Sequence, residues 1–162
     1  HLDQTLDWTQ QHLAKRYGHE PLPLSAEQRS TSAALLWLLK GHAAQRAIAA
    51  WHAGWQPALD ASGGGWLAPH LARLLDDPYG VVRHIANESL KQQPGFGTFE
   101  FDFIAPKPER ARLAKRAIAQ WNDLPGDATG DAVLIDPDRQ LMETAIQALL
   151  KNRDDRPVTI KE

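Results

Sequence analysis

Apolar residues recur along this chain every three or four positions, and glycine or proline separates the runs. That period belongs to helices with one buried face. Leu2, Leu6, Leu13 and Tyr17 predict an entry helix over residues 2–17, closed by Gly18 as the residue after its C-cap. Residues 19–24 hold two prolines and read as a loop. Ser25 with Gln28 forms a capping-box pattern that opens a helix to Lys40, where Gly41 breaks it. The next helix, over 42–55, carries Ala44, Ala47, Ile48, Trp51 and Trp55 along one face, which is expected to be buried. Residues 56–65 read as a connection. A helix over 66–75 then shows Leu67, Leu71, Leu74 and Leu75 on one side.

Asp77-Pro78 predicts a helix start, with Asp77 as the cap and proline where its missing N–H costs nothing. The helix opened there should bury Val82, Ile85, Ala86, Ser89 and Leu90, and Pro94-Gly95 ends it. Phe99, Phe101 and Phe103 alternate with Glu100 and Asp102, the period of an extended segment with its rings on one side. A helix over 109–121 and another from Asp136-Pro137 to about residue 152 complete the pattern. The charged stretch 153–162 is expected to lie over the surface.

Composition narrows the class. The 162 residues include 24 Ala and 21 Leu but only 7 Ile and 4 Val, which favours helices over strands. The predicted fold class is all-α in a single domain: an entry helix and loop over 1–24, two helical hairpins over 25–93, and the extended segment with less regular helices over 94–162. Eighteen basic against twenty acidic side chains give a net charge of −2, which argues against a nucleic-acid module. No apolar run is long enough to span a bilayer, so no membrane insertion is expected. The absence of cysteine removes disulfides, thiolate metal sites and cysteine nucleophiles from this chain. Because it begins at His1, the chain reads as a piece of something longer.

An internal repeat runs through the predicted helices. Arg46-Ala-Ile48-Ala, Arg83-His-Ile85-Ala and Arg116-Ala-Ile118-Ala share the pattern Arg-x-Ile-Ala at separations of 37 and 33 residues. Such a period marks stacked helical hairpins, each covering its neighbour. The stretch from Leu71 through Asp77-Pro78 and Val82-Arg83 to Leu90 resembles a HEAT repeat, and residues 35–55 are similar with a shorter turn. The resemblance implies a HEAT/armadillo-like α-α superhelix, with Asp77 at a turn and Arg46, Arg83 and Arg116 in register along one flank. Ile48, Ile85 and Ile118 would fill the layers between helices.

A second resemblance lies at the start. His1-Leu-Asp3-Gln-Thr-Leu-Asp-Trp8, with the later Arg16-Tyr17-Gly18, is similar to the segment after the last haem-attachment motif in multihaem c-type cytochromes with helical-repeat tails. It implies that His1 is the axial histidine of a Cys-x-x-Cys-His motif in the parent protein; a histidine left by a purification tag is the rival source. It also implies a periplasmic or other extracytoplasmic location, and a haem domain of the same polypeptide or a redox partner as the protein contacted. This chain, lacking cysteine, cannot itself attach haem, and no cofactor is expected on it.

No catalytic or metal-binding constellation is expected. His42 and His52 are ten residues apart on one predicted helix, too far for a paired ligand, and His84 reads as a solvated helix residue. Gly63-Gly64-Gly65 lacks the strand and the Gly-Lys of a phosphate loop, and neither Ser25 nor Ser62 has a nucleophile's context. Asp76, Asp77 and Arg83 read as structural turn chemistry. Trp51, Trp55, Trp66 and Trp121 read either as an aromatic binding groove or as filling between Ala-rich helices. The filling role is favoured for Trp51 and Trp121, at equivalent repeat positions, whereas Trp8 and Trp37 fall off their stripes and are the candidate interaction surface. The function expected is a non-enzymatic scaffold. The alternatives are a HEAT-like enzyme, of the DNA-base glycosylase or bilin lyase type, and a cytosolic adaptor.

Overall fold

The computed structural model describes residues 1–157, and the described chain is all-helical: helices, turns and three isolated bridges, with no sheet. The expected surface stretch 153–162 is therefore seen only as far as Pro157.

The entry helix is shorter than the apolar spacing predicts. Residues 2–4 are non-helical, and α1 (Leu6–Tyr17) starts after Thr5, whose hydroxyl accepts the Trp8 amide at 3.1 Å. Gly18, at φ 69°, closes it as expected, its N–H reaching the Ala14 carbonyl. The helix predicted over 25–40 is two helices. α2 (Ala26–Ser30) carries the Ser25–Gln28 capping box, and α3 (Ala33–Lys40) begins afresh at Ser32. Tertiary partners cause the break. The Ser32 N–H donates to the Ala132 carbonyl at 2.8 Å, and its hydroxyl donates to the Leu2 carbonyl at 2.6 Å while accepting the Leu35 amide. One buried serine thus ties the N-terminal segment, α3 and the 130s loop together.

Gly41 lets the chain turn at once into α4 (Ala43–His52), because a Cβ there would lie 2.6 Å from the Trp37 carbonyl oxygen. The 56–65 connection is not a plain loop. It holds α5 (Gln56–Ser62), which buries Ala58 and Leu59. α6 (Ala68–Leu74) comes next, and six of its seven residues are buried, so it is the centre of the molecule. α7 (Gly80–Lys91) buries Val82, Ala86, Asn87, Ser89 and Leu90, with Ile85 partly buried against the core. Asp77 is not its cap; Tyr79 occupies that place.

α4 and α7 pack together and run in the same direction. At their starts Arg46 meets Asp77, and at their ends the Gln93 amide donates to the Ala53 carbonyl at 2.8 Å. The backbones nearly touch at the crossing: a Cβ on Gly54 would sit 2.6 Å from the Ser89 Oγ and 2.8 Å from its Cα. Such an approach admits only small residues. Toward the crossing the buried stripe of α4 is therefore Ala49 and Ala50, while Ala43 and the Asp77-paired Arg46 are buried at its start. The predicted stripe is rotated away: Ile48, Trp51 and Trp55 are 49, 55 and 47% exposed. Trp66 and Trp121 are buried in the filling role, the one favoured for Trp121.

α8 (Lys107–Asp123) does not lie in register behind α7. It packs against α6 and antiparallel to it, since Arg110 reaches Asp76 at the end of α6 while the Trp121 Nε1–H donates to the Gly65 carbonyl at 2.5 Å before its start. The Phe segment that precedes it does not keep its alternation. Phe99 is buried and Phe101 half-buried, but at Phe103 the chain turns, leaving that ring exposed 5.1 Å from the His84 ring. Asp136-Pro137 forms a tight turn instead of a helix cap, with the Gln140 N–H bonded to the Asp136 carboxylate at 2.7 Å. α9 (Glu143–Lys151) packs on α3 and buries Ile146 and Leu149.

Candidate interaction surface

The structure separates the repeat arginines by role. Arg46 is fully buried, not a flank residue. Its Nε donates to Asp77 Oδ2 at 2.7 Å and one terminal nitrogen to Oδ1 at 3.2 Å. Its other terminal nitrogen donates to the Gly41 and Asp154 carbonyls at 2.6 and 3.1 Å. Asp77, also fully buried, accepts the Tyr79 amide as well, so it shapes the turn before α7 rather than capping the helix. Asp155 stands 3.4 Å from Arg46, and Arg153 stands 3.8 Å from Asp77. Arg83 reaches the same turn through the carbonyls of Asp77 and Pro78, at 2.7 and 3.0 Å, and holds the Phe103 carbonyl at 2.7 Å. Arg116 belongs to another surface, its guanidinium lying 5.9 Å from the Phe99 ring centre. Of the repeat isoleucines, Ile85 and Ile118 pack against the core and Ile48 does not.

This network is a clamp between the start of α4 and the turn before α7. Both charges of its central pair are shut off from solvent, and each finds its counter-charge and further hydrogen bonds inside the fold. His70 is a second buried polar centre. Its Nε2–H donates to the Val133 carbonyl at 2.9 Å, and burial, helped by nearby Arg73, holds its pKa down to about 3. It is a neutral strut between α6 and the 130s loop. No group of three or more His, Asp or Glu side chains suited to a metal ion occurs among the described residues.

The surface beyond the clamp is aromatic. Trp51 and Trp55 stack at 6.0 Å between centres with planes 18° apart, and His52 stands edge-on to both. With Ile48 they form a ledge along the outer side of α4 and onto the start of α5. Trp37, on α3, is 45% exposed. Trp8 is half-buried between two histidines, stacked on His12 at 3.8 Å and tilted against exposed His1 at 5.1 Å. The residue spacing singled out Trp8 and Trp37 but favoured filling for Trp51 over the ledge; the available signal was the run of alanines beside it, which packs more closely than tryptophan allows. Compared with known proteins, the chain matches no family model, no curated protein and no solved structure.

Proposed function

We propose that this chain is a non-enzymatic protein-interaction module, and that α3–α4 and α6–α7 are two HEAT-like hairpins whose outer helices, α4 and α7, stack in parallel. The Trp51–Trp55–Ile48 ledge carries the reading. Large aromatic side chains held rigid by stacking are the side chains that dominate protein–protein binding energy. About half of each ledge residue's surface is left open to solvent in the isolated fold. On this reading α8 ends the stack by folding back over α6, and the Arg46–Asp77 clamp locks the two hairpins in register.

The partner we propose is a haem domain of the same polypeptide, or its redox partner, outside the cytoplasm. Support comes from the resemblance of residues 1–18 to a cytochrome tail, and from His1, whose exposed ring rests on Trp8 at the start of the entry segment. His1 suits an axial ligand; the thiols for covalent haem attachment would come from residues ahead of it, because this chain has none. A DNA-base glycosylase would need a Trp/Asp pair on a basic concave face, and no tryptophan lines the cationic trough beside α8. The test has two steps. Codons for Cys-x-x-Cys should precede His1 in the parent gene. Hydrogen exchange should then show residues 48–55 more protected in the full parent protein than in the isolated chain. Other codons there, with equal exchange, defeat the reading.

A further inference from the structure

A second surface, sharing no residue with the ledge, is defined by charge. An open trough of about 600 Å³ runs between the end of α6, α8, the end of α9 and residues 153–155. Five cations line it, Arg73, Lys107, Arg110, Lys115 and Arg153, against two carboxylates, Asp76 and Asp155. Setting these seven aside leaves 13 basic and 18 acidic side chains in the rest of the chain, so positive charge is gathered here. Ala114, Ile118 and Leu150 add an apolar strip to the lining.

Three of the five cations are paired with carboxylates and, among the described residues, two are not. Lys107 and Lys115, both exposed, make no ion pair or hydrogen bond among the described residues. Arg110 is 3.5 Å from Asp76 and donates to the Ala105 carbonyl, while Arg73 pairs with Glu143. The Nε atoms of Arg73 and Arg110 are nonetheless buried without a hydrogen-bond partner. Arg153 is taken up by Asp155. The two free lysines, eight residues apart on α8, have backbone positions about 12 Å apart along the helix axis, at roughly 1.5 Å per residue. A single small anion cannot bridge that span, and an open trough cannot enclose one.

We infer that this trough binds an acidic peptide segment of a partner protein, with carboxylates spaced along a chain that also presents apolar side chains to the strip. A phosphate polymer is the poorer fit, because its backbone has no apolar side chains to lay on the strip of Ala114, Ile118 and Leu150. The inference stands apart from the ledge: either surface can fail without the other.

Fluorescence anisotropy of labelled decaglutamate, titrated with the full chain at low ionic strength, tests it. Binding should weaken as salt rises, and about tenfold in K107Q/K115Q, two exposed charges whose loss leaves the fold intact. The control K15Q/R16Q, which removes the same charge from α1, should bind like the parent. Three results would each overturn the assignment: no binding of the peptide, equal binding by K107Q/K115Q, or an equal loss in the control. A fourth would do so as well, namely displacement of the label by a ten-nucleotide thymidine strand at lower concentration than by unlabelled decaglutamate.

Discussion

The Arg46 guanidinium and the Asp77 carboxylate, 31 residues apart, meet in a two-point fork with neither side chain exposed to solvent. The pair joins the start of α4 to the turn that launches α7, and carbonyls from Gly41 and Asp154 complete the guanidinium's shell. A buried ion pair of this kind owes its tolerance to full bonding, since an unpaired charge in the same place is costly. It holds the two helices together at their starts, as the Gln93–Ala53 bond does at their ends.

Breaking that pair from one side should be severe. Asp77→Ala leaves a buried guanidinium without its anion and should lower unfolding stability by about 3–5 kcal/mol. Arg46→Met with Asp77→Ala removes both charges and should cost less than the sum of Arg46→Met and Asp77→Ala made singly. Urea denaturation of the four proteins measures the coupling, and additive losses would show that the pair is not a unit.

Gly54 is required by the close approach of α4 and α7. Gly54→Ala should destabilise the chain by about 1–3 kcal/mol, because the Ser89 Cα is backbone and cannot step aside. Gly64→Ala, where the nearest atom would be 3.9 Å away, is the matched control and should be nearly neutral. Equal melting temperatures for the two variants would contradict this packing.

Acid should weaken the fold through His70. In the folded chain it takes up a proton only near pH 3; in the unfolded chain it does so near its ordinary 6.5. Between those values the unfolded state holds the extra proton, so stability falls as pH falls, by at most about 1.4 kcal/mol per pH unit from this one group. Above pH 6.5 the contribution is fully present. His70→Gln keeps a donor for the Val133 carbonyl and should flatten the decline between about pH 6.5 and 4.5. Parallel urea midpoints for parent and variant across that range would mean that His70 is not held neutral.

The ledge should be dispensable to the fold. Ile48→Ala and Trp51→Ala should shift stability by less than about 1 kcal/mol, whereas Leu71→Ala, with no exposure, should cost about 2–5 kcal/mol. Thermal melts decide between them. A large loss from Trp51→Ala would make the ledge structural and remove the main support for an interaction surface.

Local chemistry determined the helical class, the presence of most helices and several of their ends. Ala and Leu content, the Ser25–Gln28 capping box and Gly18 at φ 69° act within a few residues, so they are legible along the chain. The burial of Leu71, Leu74 and Leu75 was legible too, because leucine has one strong preference. In α4 the choice lay between adjacent stripes, and alanine suits either the core or the surface. The partner helix decided it: α7 approaches so closely at Ser89 that only alanine and glycine fit, which sends Trp51 and Trp55 outward. Tertiary structure likewise split the second helix at Ser32, buried Arg46 by supplying Asp77, and laid α8 on α6. Each of these depends on a group 30 or more residues away, and periodicity cannot carry information over that distance.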